Sequence, residues 1–323
     1  MPKAPSTEDA LAAIHAIRQA PEKFDLKRDL APLLKHKSNH VVAAAAATAE
    51  RLEAGALAPD LVEAFERLIG DASKRDQGCK ATIAIVRALI QMEDPAAKVY
   101  FAGIRHVQME GSFGPPVDAA AELRGLCARG LARMGHSEAL LECVTLLTDR
   151  EVAARAGAIQ AIADAGRPEG VLLLRLKASM GDSEDEILGQ CFSALLALDP
   201  AASVDFVARF LKSDSGGQAA FALGESHLPA AFPVLRDAWE EGGSRELRRT
   251  LLVAIGMLRS DDGLEFLLTC LSDESVPVAE DALAALALYS RDETVHGRIA
   301  EIVRRRDELG LTKVFAREFG IHS

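Results

Sequence analysis

The stretch ALLECVTLLTDREVAARAGAIQAIADAGRPEG, Ala139–Gly170, decides the fold. In its first half Leu140, Val144 and Leu147 recur at helical spacing. In its second half Val152, Ala156, Ile159 and Ile162 do the same, and Asp149 marks a turn between them. Each half reads as an amphipathic helix with one buried stripe. A pair this small cannot bury both stripes by itself, so it predicts copies on either side.

The copies are visible. Ile162, preceded by the small residue Ala161, has equivalents at Leu89, Leu131, Leu195, Leu223, Ile255 and Leu286. These follow Ala88, Gly130, Ala194, Ala222, Ala254 and Ala285. Successive anchors lie 42, 31, 33, 28, 32 and 31 residues apart, the length of two helices and two short turns. A further copy runs from Asp29 to Leu52. Thirteen residues before the anchor stands an Asp in five units: Asp76, Asp118, Asp149, Asp182 and Asp273. Seven residues before it stands Arg124, Arg155 or Arg248 in three. Such an Asp can cap the second helix of its unit by accepting orphan N–H bonds, and can reach an Arg of the next unit. Gly242 and Phe210 interrupt this ladder.

This pattern of small–aliphatic anchors with an Asp/Arg ladder resembles the HEAT-repeat family over roughly Asp29 to Glu308. The resemblance implies an all-α, right-handed solenoid of about eight stacked helix pairs, with second helices on a concave face. The organisation expected is a capping helix region at 1–28, a repeat array at 29–309 and a capping segment at 310–323. Ser6 or Thr7 starts the first cap, Leu11, Ile14 and Ile17 form its buried face and Pro21 ends it. Val314, Phe315 and Phe319 are expected to cover the other end, after a C-cap at Gly310.

Composition narrows the function classes. Of 323 residues 49% are hydrophobic but only 5% aromatic, and the net charge is −11, which argues against nucleic acid as the default partner. The five cysteines, Cys79, Cys127, Cys143, Cys191 and Cys270, contain no CxxC pair and read as reduced core residues of a cytoplasmic protein. No signal-peptide core and no apolar run long enough for a bilayer is present, so no membrane partner is expected. His36 and His40 have the spacing of two ligands on a helix, but Ser38 and Asn39, the expected N-cap, break the shared face and no third ligand follows. No metal and no cofactor are expected.

The long third interval holds EGSFGPPVD, Glu110–Asp118, whose glycines and prolines forbid helix. Phe113 and Pro115 in this loop either bind a partner or fold back into a gap between units. Arg87, Arg129 and Arg133 fall on successive second helices and form, with Arg124 and Arg155, a candidate basic strip for acidic groups. The bland alternative is that Arg124 and Arg155 serve the ladder while the rest pair with nearby Glu. Arg245, Arg248 and Arg249 cluster too, among Glu240, Glu241 and Glu246, and read as a mixed solvated face. Trp239, with Phe232 and Leu235, reads as core.

The resemblance also brings three enzyme readings. HEAT-like deoxyhypusine hydroxylases use His-Glu motifs, and no His-Glu dipeptide occurs here. Nothing marks a bilin site of the lyase type. Alkylpurine DNA glycosylases of HEAT-like fold combine a basic face with aromatic and acidic residues, of which only the basic part has a counterpart. GxxxxGK[ST], HExxH, GxSxG and GxGxxG are absent. The sequence therefore points to a non-enzymatic scaffold that binds a protein or peptide, with nucleic-acid binding or repair second and a lyase-type enzyme third.

Overall fold

The computed structural model describes residues 5–70, 72–111 and 114–320, and of residues 72 and 73 the backbone alone. It is all-α apart from two two-residue strands. The chain forms two compact units, 1–170 and 171–323, each with its own interior.

In the first unit the helices are α1 (Thr7–Gln19), α2 (Leu26–Leu34), α3 (Asn39–Arg51), α4 (Ala58–Ile69), α5 (Ala72–Arg75), α6 (Lys80–Gln91), α7 (Ala97–Ile104), α8 (Ala121–Arg133), α9 (Ala139–Leu146) and α10 (Val152–Ala165). Strands β1 (Met109–Glu110) and β2 (Val117–Asp118) pair antiparallel between α7 and α8. Neighbours in sequence pair as α2 with α3, α4 with α6, α7 with α8, and α9 with α10. The second helix of each pair then packs on the next second helix: α3 on α6, α6 on α8, α8 on α10.

After α11 (Pro168–Met180), the second unit repeats this scheme with α12 (Asp185–Leu198), α13 (Pro200–Ala208), α14 (Gly216–Glu225), α15 (Ala231–Glu240), α16 (Arg245–Met257), α17 (Asp261–Asp273), α18 (Val276–Leu286), α19 (Glu293–Arg306) and α20 (Leu309–Phe319). Here α12, α14, α16, α18 and α20 form the row of second-helix contacts.

All seven anchors are fully buried, and the small residue before each is buried with it. At Gly130 the reason for smallness is steric, since a Cβ there would lie 2.6 Å from the Tyr100 ring. Just after the anchor Leu223, a Cβ on Gly224 would lie 2.6 Å from the Ala254 carbonyl oxygen. The tightest approach is Gly125 of α8 against Gly157 of α10, where an added Cβ on Gly157 would fall 2.2 Å from the Gly125 Cα. Helix axes come this close only where both surfaces lack side chains.

Several local expectations are corrected. In α9 the buried positions are Ala139, Leu140, Cys143 and Leu146, with Leu147 just beyond, whereas Val144 and Val152 are exposed. The buried stripe is thus rotated by about one position, since a helical side chain covers the turn before its own Cα. In α1, Ser6 caps by accepting the Asp9 N–H, but Ala10, Ile14 and Ile17 are buried and Leu11 is exposed. The residue before α3 is Ser38 rather than Asn39. His36 is buried as a structural group: its ring accepts the Ser38 N–H at 3.0 Å and meets the Pro5 carbonyl at 3.2 Å. At the end of α19 the left-handed cap is Asp307, not Gly310, which sits inside α20. Phe319 is buried, while Val314 and Phe315 are half-buried.

Candidate partner-binding surface

The Asp/Arg pattern becomes a buried network in the first unit. The side chain of Arg124, in α8, donates from Nη1 to Asp118 Oδ2 at 2.6 Å and to the His106 carbonyl at 2.9 Å. Its Nε and Nη2 grip both oxygens of Asp149 at 3.0 and 3.1 Å. Thus Arg124 joins the Asp of its own unit to that of the following unit, so Asp149 reaches back to an Arg of the preceding unit rather than forward. One unit earlier Asn39 does the same work, donating from Nδ2 to Asp76 at 3.2 Å. Asp76 is fully buried and accepts the Ala81 and Thr82 N–H bonds at 2.9 and 2.8 Å, capping α6 across an intervening turn. Arg155 donates to the Asp149 and Arg150 carbonyls at 2.9 and 3.0 Å.

In the second unit Asp182 pairs with Lys177 at 2.6 Å, a partner that the spacing does not reveal. The pattern lapses at Arg248. Among the described residues no hydrogen bond or ion pair joins it to Asp273; its guanidinium instead lies over Trp239, 4.3 Å from the ring centroid.

Burial would raise the Asp118 pKa, but the N–H groups of Gln108 and Ala120 and the Arg124 guanidinium outweigh it and hold the carboxyl below its ordinary 3.8. A carboxyl that loses its proton more readily folded than unfolded stabilises above the unfolded pKa and ceases to do so as pH falls through the folded one. Stability of the first unit is therefore expected to fall as pH drops below about 3.9. Asp118→Asn should flatten that part of the slope in urea midpoints measured from neutral pH downward. An unchanged slope would assign the acid sensitivity to other carboxylates.

The long loop forms a hairpin whose base is locked and whose flanks are open. Met109 pairs with Asp118 and Glu110 with Val117. Buried Gln108 donates from Nε2 to the Asp76 carbonyl at 2.9 Å, and Glu110 accepts the Gly78 N–H at 2.7 Å. The base therefore seals the junction with the preceding pair. Beyond it Val107, Met109 and Val117 are 60%, 56% and 56% exposed, with Pro115 and Pro116 exposed beside them. A cavity of about 670 Å³ lies at the hairpin's foot, lined in part by Ile104, Arg105, Met109, Pro116, Leu146 and Arg150. Phe113 lies outside the described residues. Sequence reasoning misses Val107, Met109 and Val117, because their alternation covers too few residues to stand out as strand.

The candidate basic strip is largely neutralised by its neighbours. Arg87 on α6 pairs with Glu122 on α8 at 2.5 Å, and Arg129 on α8 with Asp164 on α10 at 2.8 Å. Arg133 is exposed at the last turn of α8. The five cysteines are buried and free. Burial pushes the Cys79, Cys143, Cys191 and Cys270 thiols up to about 12, and that of Cys127 upward as well. Such thiols hold their protons at neutral pH and make poor nucleophiles. Among the described residues no group of three or more His, Cys, Asp or Glu is placed to hold a metal, and no helix is long and apolar enough to cross a membrane.

No protein-family model and no curated protein matches the chain. Among solved structures it is similar to the crystal structure of an engineered protein, at 15% identity and a TM-score of 0.35 over 91% of this chain and 88% of that one. In each of its units the chain is an all-α arrangement of repeated helix pairs.

Proposed function

We propose that this chain is a non-enzymatic scaffold of HEAT type, acting in the cytoplasm, that binds a protein partner. Its second helices would form a right-handed stack with a concave face, and contact would extend from α6 and α8 onto the 110–118 hairpin. The observation that supports this reading is the hairpin itself. Its base is fastened by Gln108, Glu110 and Asp118, while Val107, Met109 and Val117 stay open to solvent. Exposed apolar groups on a rigid support are what a partner interface uses for its central contacts. Arg133 and the rim of paired arginines would add selectivity for acidic groups more than affinity.

The test is capture from native-host lysate with the wild type, Val107→Ser/Met109→Ser/Val117→Ser and Arg129→Glu/Arg133→Glu, each with and without nuclease. The expected result is a nuclease-resistant protein retained by the wild type and lost from the hairpin variant, with weaker loss from the arginine variant. Recovery of nucleic acid instead would reassign the chain to the second class. A partner held equally by all three would move the interface off this surface.

A further inference from the structure

In the second unit a cleft of about 260 Å³ lies between α15, α16 and α18, lined by Trp239, Arg245, Arg248, Arg249, Leu252 and Asp281 among others. Its charge is unbalanced. Three arginines face one carboxylate, and Asp281 stands 3.8 Å from Arg245 and 3.9 Å from Arg249, beyond hydrogen-bond length. Elsewhere in the same unit Arg298 grips Glu265 with two bonds of 2.7 Å, so the helices do build full pairs where the counter-charge is available. Of the neighbouring carboxylates, Glu241 is engaged by Lys212 at 2.8 Å, Glu240 lies 3.6 Å from Arg236, and Glu246 lies exposed in the first turn of α16.

Arg248 is the central group. Among the described residues it has no hydrogen-bond acceptor and no ion-pair partner; its Nε is shielded from solvent, and its guanidinium is pinned over Trp239 at 4.3 Å. Trp239 is only 6% exposed, and its Nε1 likewise has no acceptor. A guanidinium stacked on an indole has already lost its conformational freedom, so little entropy remains to be lost when an anion arrives. Arg245 opens α16, whose Ser244 cap takes only the Leu247 N–H, and the positive end of that helix lies at the same rim.

We propose that this cleft receives one acidic side chain of the partner polypeptide. Its carboxylate would sit among Arg245, Arg248 and Arg249, and its methylenes would lie on Leu252 and Val278. The assignment rests on the scaffold reading and specifies the partner's chemistry. Size favours a single side chain, since the cleft is smaller than the roughly 300–1,000 Å³ of small-molecule pockets. Access favours a group carried in from outside, because the rim residues Arg245 and Arg249 are 73% and 63% exposed.

Trp239 is the sole tryptophan, so its emission reports the cleft directly. The full chain would be titrated with acetyl-Glu-Ala-Glu-Ala-Glu-amide, its glutamine counterpart, glutarate and inorganic phosphate. The expected result is a saturable emission change with the Glu peptide and none with the Gln peptide. Arg245→Gln/Arg249→Gln, whose side chains are exposed, should keep the wild-type melting profile while weakening binding about tenfold or more. No response to the Glu peptide, or an equal response to the Gln peptide, overturns the proposal. Glutarate or phosphate saturating at the same concentration as the Glu peptide also overturns it, by making this a free-anion site. If the titration fails while the hairpin variant still loses its captured protein, only this inference falls; if no protein is captured at all, the failure belongs to the scaffold reading.

Discussion

Replacing Arg124 by Ala is expected to destabilise the first unit by about 3–5 kcal/mol, the range for removing one partner of a buried ion pair. The Arg124 and Asp118 side chains are 5% and 7% exposed, and Asp149 is 18% exposed. Burial disfavours the guanidinium charge, yet the bonds to Asp118 and Asp149 raise its pKa overall, so the network is self-sustaining while intact. Without Arg124, two carboxylates face each other with no cation between them, and the His106 carbonyl also loses a donor. Arg124→Lys should recover only part of the loss, because a single ammonium cannot reproduce the two-pronged grip on Asp149. Urea unfolding, followed by hydrogen exchange in α8 and α10, measures this. A loss under about 1 kcal/mol would mean that the network behaves like an ordinary surface pair.

Gly157→Ala is expected to cost about 1–3 kcal/mol, although alanine is the better helix former. The added methyl would fall 2.2 Å from the Gly125 Cα and 2.9 Å from its carbonyl carbon, and backbone cannot rotate aside as a side chain can. The α8–α10 packing would have to open. Gly297→Ala provides the control. Gly297 is also mid-helix, in α19, but a methyl added there would meet nothing within 4 Å, so the same substitution should stabilise by about 0.5–1 kcal/mol. Opposite signs for one chemical change would separate helix–helix contact from intrinsic propensity. The same sign at both positions would remove close packing as the reason glycine stands at 157.

The repeat was legible because its evidence is redundant. Each of seven anchors carries a small neighbour, and helical spacing is repeated often enough to survive local irregularities. The ladder residues were legible as types at positions, but not in their connections. Asp149 could be foreseen near an arginine; that the arginine would be Arg124 of the preceding pair depends on how far α8 stands from the following turn. Asn39 meets Asp76 and Lys177 meets Asp182 from positions where periodicity carries no information. The Arg245–Arg248–Arg249 cluster shows the same limit. Read along the chain it is balanced by Glu240, Glu241 and Glu246, yet in space Glu241 is engaged by Lys212 and Glu240 lies nearest Arg236.

By itself the sequence determined the helix-pair repeat, the buried anchors and the burial of the cysteines. These follow from local periodicity and from residue size, which act over one or two turns of helix. Only the tertiary structure decided which charges meet, which loop flanks stay exposed and which arginines lack a counter-charge. Those outcomes turn on distances of a few ångströms between residues about 10 to 40 positions apart, such as Gln108 with Asp118 or Asn39 with Asp76.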